Sequence, residues 1–188
     1  MNEGVPEPIN RAQRRFLGLT MPFRTLEVFN GDYVPVEEVA LSVVVTRMLA
    51  QQQRGAGQLR GGTLLGFQVE GMLSIEVILP SNHLYQHPFA VQPEYLLGAL
   101  DAVLQVTALP LDWVGNWVMP ADGRQPDAGW TEETWHAARR EALVSASSVL
   151  LTVGMAEDRL VVEAWSEREG QPFRLPVKKQ LFQLPRHP

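Results

Sequence analysis

The sequence predicts an α/β fold built as one domain. Three observations point there. Stretches rich in β-branched and large apolar residues alternate with stretches whose apolar residues recur at helical spacing. The chain has 188 residues, enough for one domain that buries about 70% of its unfolded surface. Residues 22–180 contain no repeat, low-complexity tract or linker. The expected body is therefore 22–180, with 1–21 as a tail or short docked segment and 181–188 as a C-terminal tail. A mixed, curved β-sheet flanked by about three helices is the expected architecture.

Each element has its own warrant. Residues 1–20 are polar, with Pro6, Pro8 and a small basic cluster at Arg11, Arg14 and Arg15. Phe23–Phe29 alternates as a strand does, and Asn30–Asp32 reads as a turn. In Val36–Gln53 the polar residues Glu38, Ser42 and Thr46 recur every four positions. That spacing predicts a largely buried helix despite the β-branched run Val43–Val45, with Pro35 suited to its first turn. Gly62–Val69 and Met72–Leu79 predict two strands joined tightly at Glu70–Gly71. Ser81–Pro88 reads as a loop and Phe89–Val91 as a short strand. Pro93 opens a helix whose Leu96, Leu97, Leu100, Val103 and Leu104 share one face. Leu111–Val118 is a strand, and simple alternation puts Leu111, Trp113, Trp117 and Met119 on one side of it. A loop rich in Gly, Pro and Asp runs on to Trp130. Thr131 is the expected cap of a helix whose Glu132 and Glu133 suit the positive end of its dipole, with Arg139 and Arg140 further along. Ser147–Val153, Arg159–Trp165 and Phe173–Val177 are the closing strands.

Composition removes several function classes. Lys plus Arg is 16 against 21 Asp plus Glu, a net charge of -5. Binding to nucleic acid works by releasing phosphate counterions and needs the opposite balance, so it is not expected. An anionic membrane surface is an equally poor match. The chain has no cysteine, which excludes disulfides, zinc fingers, iron–sulfur clusters and thiol catalysis. It has no apolar run of the roughly 18 residues that span a bilayer, and no signal-peptide pattern at its start. A cytoplasmic protein without a bound cofactor is expected.

Candidate chemistry is thin. His83 and His87 have the spacing of two metal ligands on a helix, but Pro80 and Pro88 bracket them and favour a solvated loop. The glycines of Gly55–Gly62 leave a helix and enter a strand, the reverse of a phosphate-binding loop. No serine sits in a glycine-flanked elbow. Asp112, Glu70, Glu76, Asp122 and Asp127, with His136, are the groups from which an acid–base pair would be drawn. Solvation at the surface is the default for each.

Three local phrases carry a comparison. "GGTLLGF" (Gly61–Phe67), "FAVQPEYLLGAL" (Phe89–Leu100) and "VGNWVMPADG" (Val114–Gly123) resemble, in order and spacing, the glycine strand, helix entry and histidine motif of the JAB/MPN domain, the fold of the JAMM metalloproteases. The resemblance covers about residues 23–180. It implies a cytidine-deaminase-like layering of sheet and helices. It also implies a zinc held by two imidazoles and a carboxylate, with a water activated by a glutamate. In this chain the glutamate position falls on Leu59 and the two histidines on Trp117 and Met119. The remaining pair falls on Thr131 and Thr134, or on Asp127 and Trp130. Indole has no lone pair for zinc, and a thioether is a poor ligand. The resemblance therefore implies a metal-free, catalytically inactive member acting as a protein-interaction or scaffold module, as a homodimer or heteromer. Trp130, Asp122, Arg124 and Asp127 are the candidate interaction surface. The alternative is a hydrolase or other enzyme with a relocated, non-zinc site built from Asp112, Glu70 or His136.

Overall fold

The computed structural model describes residues 34–55, 57–81, 89, 93–107, 109 and 111–179. Its strands are β1 (Glu38–Leu41), β2 (Arg60–Val69), β3 (Met72–Pro80), β4 (Asp112–Met119), β5 (Val149–Ala156), β6 (Arg159–Arg168), β7 (Gln171–Leu175) and β8 (Val177–Lys179). The helices are α1 (Val43–Gln51), extended by a 3-10 turn at Gln52–Gly55, then α2 (Pro93–Val106) and α3 (Ala128–Arg140). All eight strands form one sheet in the order β7-β6-β5-β4-β2-β3-β1-β8. The expected α/β class, with a mixed sheet and three helices, is what the described residues adopt.

The sheet is curved because its two edges are one stretch of chain. β7 pairs antiparallel with β6 at one border, and β8 pairs parallel with β1 at the other. Only Pro176 separates them, and its carbonyl accepts the Val39 amide at 2.9 Å. The sheet must curl until its borders nearly meet.

Alternation along the strands gives this curled sheet two apolar faces. The inner cluster includes Leu64, Ile75, Val114, Trp117, Met119, Leu151 and Ala164, and α1 adds Val45 and Leu49. The outer cluster includes Leu65, Trp113, Val118, Leu150, Leu96 and Leu100 of α2, and Trp135 and Ala138 of α3.

Four sequence expectations are corrected. The helix expected over Val36–Gln53 begins only at Val43, and Glu38–Leu41 is a strand. Parallel pairing on both sides, with β3 and β8, decides this in favour of β structure. The four-residue polar rhythm survives in part as a cap: the Ser42 hydroxyl accepts the Val45 amide at 3.2 Å and ends the strand. Second, Asp127 rather than Thr131 caps α3, accepting the Trp130 amide at 2.8 Å. The helix therefore starts one turn earlier, and Thr131 is buried within it.

Third, Leu111, Trp113, Trp117 and Met119 do not share a face. Leu111 and Trp113 join the outer cluster, Trp117 and Met119 the inner one. The register jumps from Leu64↔Gly115 to Leu65↔Trp113, so Val114 is an extra residue and the alternation flips there. Gly115 holds φ +151, and an added Cβ would sit on the Val149 carbonyl, so only glycine fits the bulge. The last expected strand, Phe173–Val177, is in fact two strands on opposite borders. Phe23–Phe29, Asn30–Asp32, His83, His87 and most of Phe89–Val91 lie outside the described residues.

Candidate functional site

The junction between β4 and α3 is where a rigid strand hands the chain to a polar loop. The chain leaves β4 at Met119, and Pro120 stops the ladder. The loop is then bound from both sides. On one side the Met155 amide donates to Gly123 O at 2.9 Å and the Gln125 amide donates to Met155 O at 3.0 Å. On the other, Gln53 Nε2 donates to Gly123 O at 2.7 Å, and the Gly57 amide donates to Ala121 O at 2.8 Å.

Arg60, at the start of β2, is the centre of this arrangement. It is 5% exposed. One guanidinium nitrogen donates to Gln52 O, at the C-terminal end of α1, and another to Pro120 O at 3.2 Å. A helix C-terminus is the favourable place for a cation. Burial lowers the Arg60 pKa below the ordinary guanidinium value, and the charge of Asp122 opposes that fall. Arg60 Nε has no partner. Local sequence pattern does not single out Arg60. Its only signal is a cation eight residues after a helix end, hidden in a glycine-rich stretch.

The proposed surface residues divide. Asp127 is the cap of α3, and Asp122 accepts the Arg124 amide at 3.0 Å, so both carboxylates shape the loop itself. The Arg124 side chain is exposed, while its backbone bridges to Met155. Trp130 is half-buried and rests against the outer cluster.

The positions that the resemblance assigns to zinc are not gathered around one point. Trp117 and Met119 are both 0% exposed, inside the inner cluster. Leu59 is half-buried, one residue before β2. Thr131 and Thr134 lie on the side of α3 that carries Trp135 and Ala138 into the outer cluster. The sheet itself stands between the two groups.

The acid–base alternatives are also dispersed. Asp112 pairs in register with Gly66. Glu70 lies four residues further along, at the hairpin tip with φ 49, about 13 Å away at strand rise. His136 sits on the exposed side of α3, 3.9 Å from Glu132. Glu76 accepts the Ser74 hydroxyl at 2.6 Å. Among the described residues no three His, Asp or Glu side chains are placed to hold a metal ion.

Comparison with known proteins gives fold and nothing further. No protein-family model and no curated protein match the chain. Among solved structures it is similar to protein DSY2949 from Desulfitobacterium hafniense, at 18% identity and a TM-score of 0.57. The match covers 79% of this chain and 97% of that one.

Proposed function

We propose that the chain is a metal-free, non-catalytic interaction module, a divergent relative of the JAB/MPN domain that works by self-association or by pairing with another chain in the cytoplasm. The observation that carries this reading is the state of Trp117 and Met119. The two side chains aligned with the imidazoles are closed inside an apolar core. Groups in that position contribute packing, about 2–3 kcal/mol for an aromatic of this size; the indole has no lone pair for a metal, the thioether is a poor zinc ligand, and burial leaves neither a path.

Support also comes from the loop. Arg60, Gln53 and Met155 fix residues 120–125 to the body. A fixed loop that carries an exposed Arg124 and leads to a half-buried Trp130 is a preorganised surface, and preorganisation favours binding. Among the described residues no helix is long and apolar enough to cross a membrane.

Metal analysis of the purified protein, together with its mass in solution, tests the reading. The expected result is less than a tenth of an equivalent of zinc and a mass above one chain, alone or with a captured partner. One equivalent of zinc per chain would overturn it.

A further inference from the structure

The C-terminal strand closes the sheet on weak terms. β8 has three residues and takes its ladder from β1 through Val39↔Val177, Ala40↔Lys178 and Leu41↔Lys179. β7 ladders with β6 only over Ala164–Arg168; the first half of β6, Arg159–Glu163, has no ladder partner in β7 and is tied to it by the ion pair of Arg174 with Glu163 at 2.8 Å. The inner cluster is least covered along that seam, where Leu160, Val162, Phe173 and Val177 are all partly exposed. The side-chain tie across β1 and β8 is Lys178 to Glu38 at 2.6 Å, with the lysine 64% exposed. Pro176, the single residue between β7 and β8, is exposed. Short ladders near solvent are the parts of a fold that open first.

β1 is held differently. Val39, Ala40 and Leu41 are at most 1% exposed, and β3 pairs with all three. If β8 leaves, a well-anchored edge remains, missing one parallel strand of known register. The strand guaranteed to match it in length, side chains and charge is another β8.

We propose that two copies of this chain exchange β8, each copy's Val177–Lys179 laddering on β1 of the other. This rests on the self-association half of the interaction-module reading. The exchanged contacts repeat the internal ones, the ladder of Val177–Lys179 on β1 and the pair of Lys178 with Glu38, so exchange needs no new complementary surface. The exposed one-residue hinge at Pro176 is the point where the chain would cross from one copy to the other.

Two single substitutions in the full chain, Glu38→Lys and Lys178→Glu, test the exchange. Alone, each variant faces like charges between β1 and β8, whichever copy supplies the strand. Mixed in equal amounts, exchange between the two variants restores both opposite-charge pairs. Native mass spectrometry of the mixture should then show a mixed dimer favoured about tenfold over either variant's own dimer, a modest factor because the pairs are exposed. Two monomers that ignore each other, or dimers in the statistical 1:2:1 ratio, would overturn exchange. The statistical result would leave the interaction-module reading intact, with its interface on another face. Bound zinc alongside a strong mixed-dimer preference would do the reverse.

Discussion

Replacing Trp117 with histidine places on this fold the side chain that the zinc reading needs. Trp117 is fully buried and pairs across the ladder with Gly62, whose missing side chain makes room for the indole. A Cβ built on Gly62 would lie 2.8 Å from Trp117 Nε1. Imidazole is smaller, so it leaves a void. Full truncation of a buried aromatic costs about 3–5 kcal/mol, and a ring of intermediate size forfeits about half of that. Imidazole also brings a second nitrogen into surroundings where Trp117 Nε1 already has no hydrogen-bond partner. An unsatisfied buried polar atom adds about 1–3 kcal/mol. The expected loss for Trp117→His is thus about 3–5 kcal/mol. With a urea slope of about 2 kcal/mol/M, the midpoint should fall by about 2 M at unchanged slope. Adding Met119→His should bring the total near the whole stability of an ordinary domain, so the double variant should fail to fold cleanly. A single variant whose midpoint stays within about 0.3 M of the parent, or a folded double variant holding one zinc, would refute this reasoning.

Four further outcomes are expected. Gly115→Ala forces a methyl onto the Val149 carbonyl at a bulge and should abolish the cooperative thermal transition seen by circular dichroism. Asp127→Ala removes the α3 cap and should cost about 1 kcal/mol in a urea melt. Arg60→Met leaves Gln52 O and Pro120 O without their charged donor; it should cost about 2–3 kcal/mol and speed proteolytic cleavage within residues 121–129. Because burial lowers the Arg60 pKa, the unfolded chain holds that proton more tightly. Stability gains from Arg60 as pH rises only in the strongly alkaline window between the two values, so the gap between parent and Arg60→Met should stay constant from pH 5 to pH 9.

The fold class and most strands could be read from the residues because period-2 and helical patterns survive wherever one face is buried. The β2–β3 hairpin and the leucine face of α2 are examples. The failures share a cause: information that belongs to distant neighbours. Glu38–Leu41 is a strand because β3 and β8 lie on either side of it, and a window of eighteen residues cannot contain that. The flip of faces on β4 comes from a bulge whose signal in sequence is one glycine, Gly115. Thr131 followed by two glutamates is a good local helix start, whereas the capping role of Asp127 depends on the path of the loop, which local pattern does not carry. At the candidate site, the apolar character of Trp117 and Met119 is plain in the sequence. The clamp through Arg60 is not, since its partners are main-chain carbonyls at Gln52 and Pro120, which carry no mark in the sequence.

The pairing of Val39 with Val177 joins positions 138 apart, nearly the two ends of the described sheet. On the ribosome, β1 must wait for more than a hundred further residues before its last partner emerges. Throughout that interval the nascent protein presents an apolar strand with an open side, the condition in which chains stick to one another or call on chaperones. Contacts this remote also make for slow folding. Shortening the wait, by circular permutation that places β8 just ahead of β1, should raise the yield of soluble protein during synthesis while leaving the finished sheet unchanged.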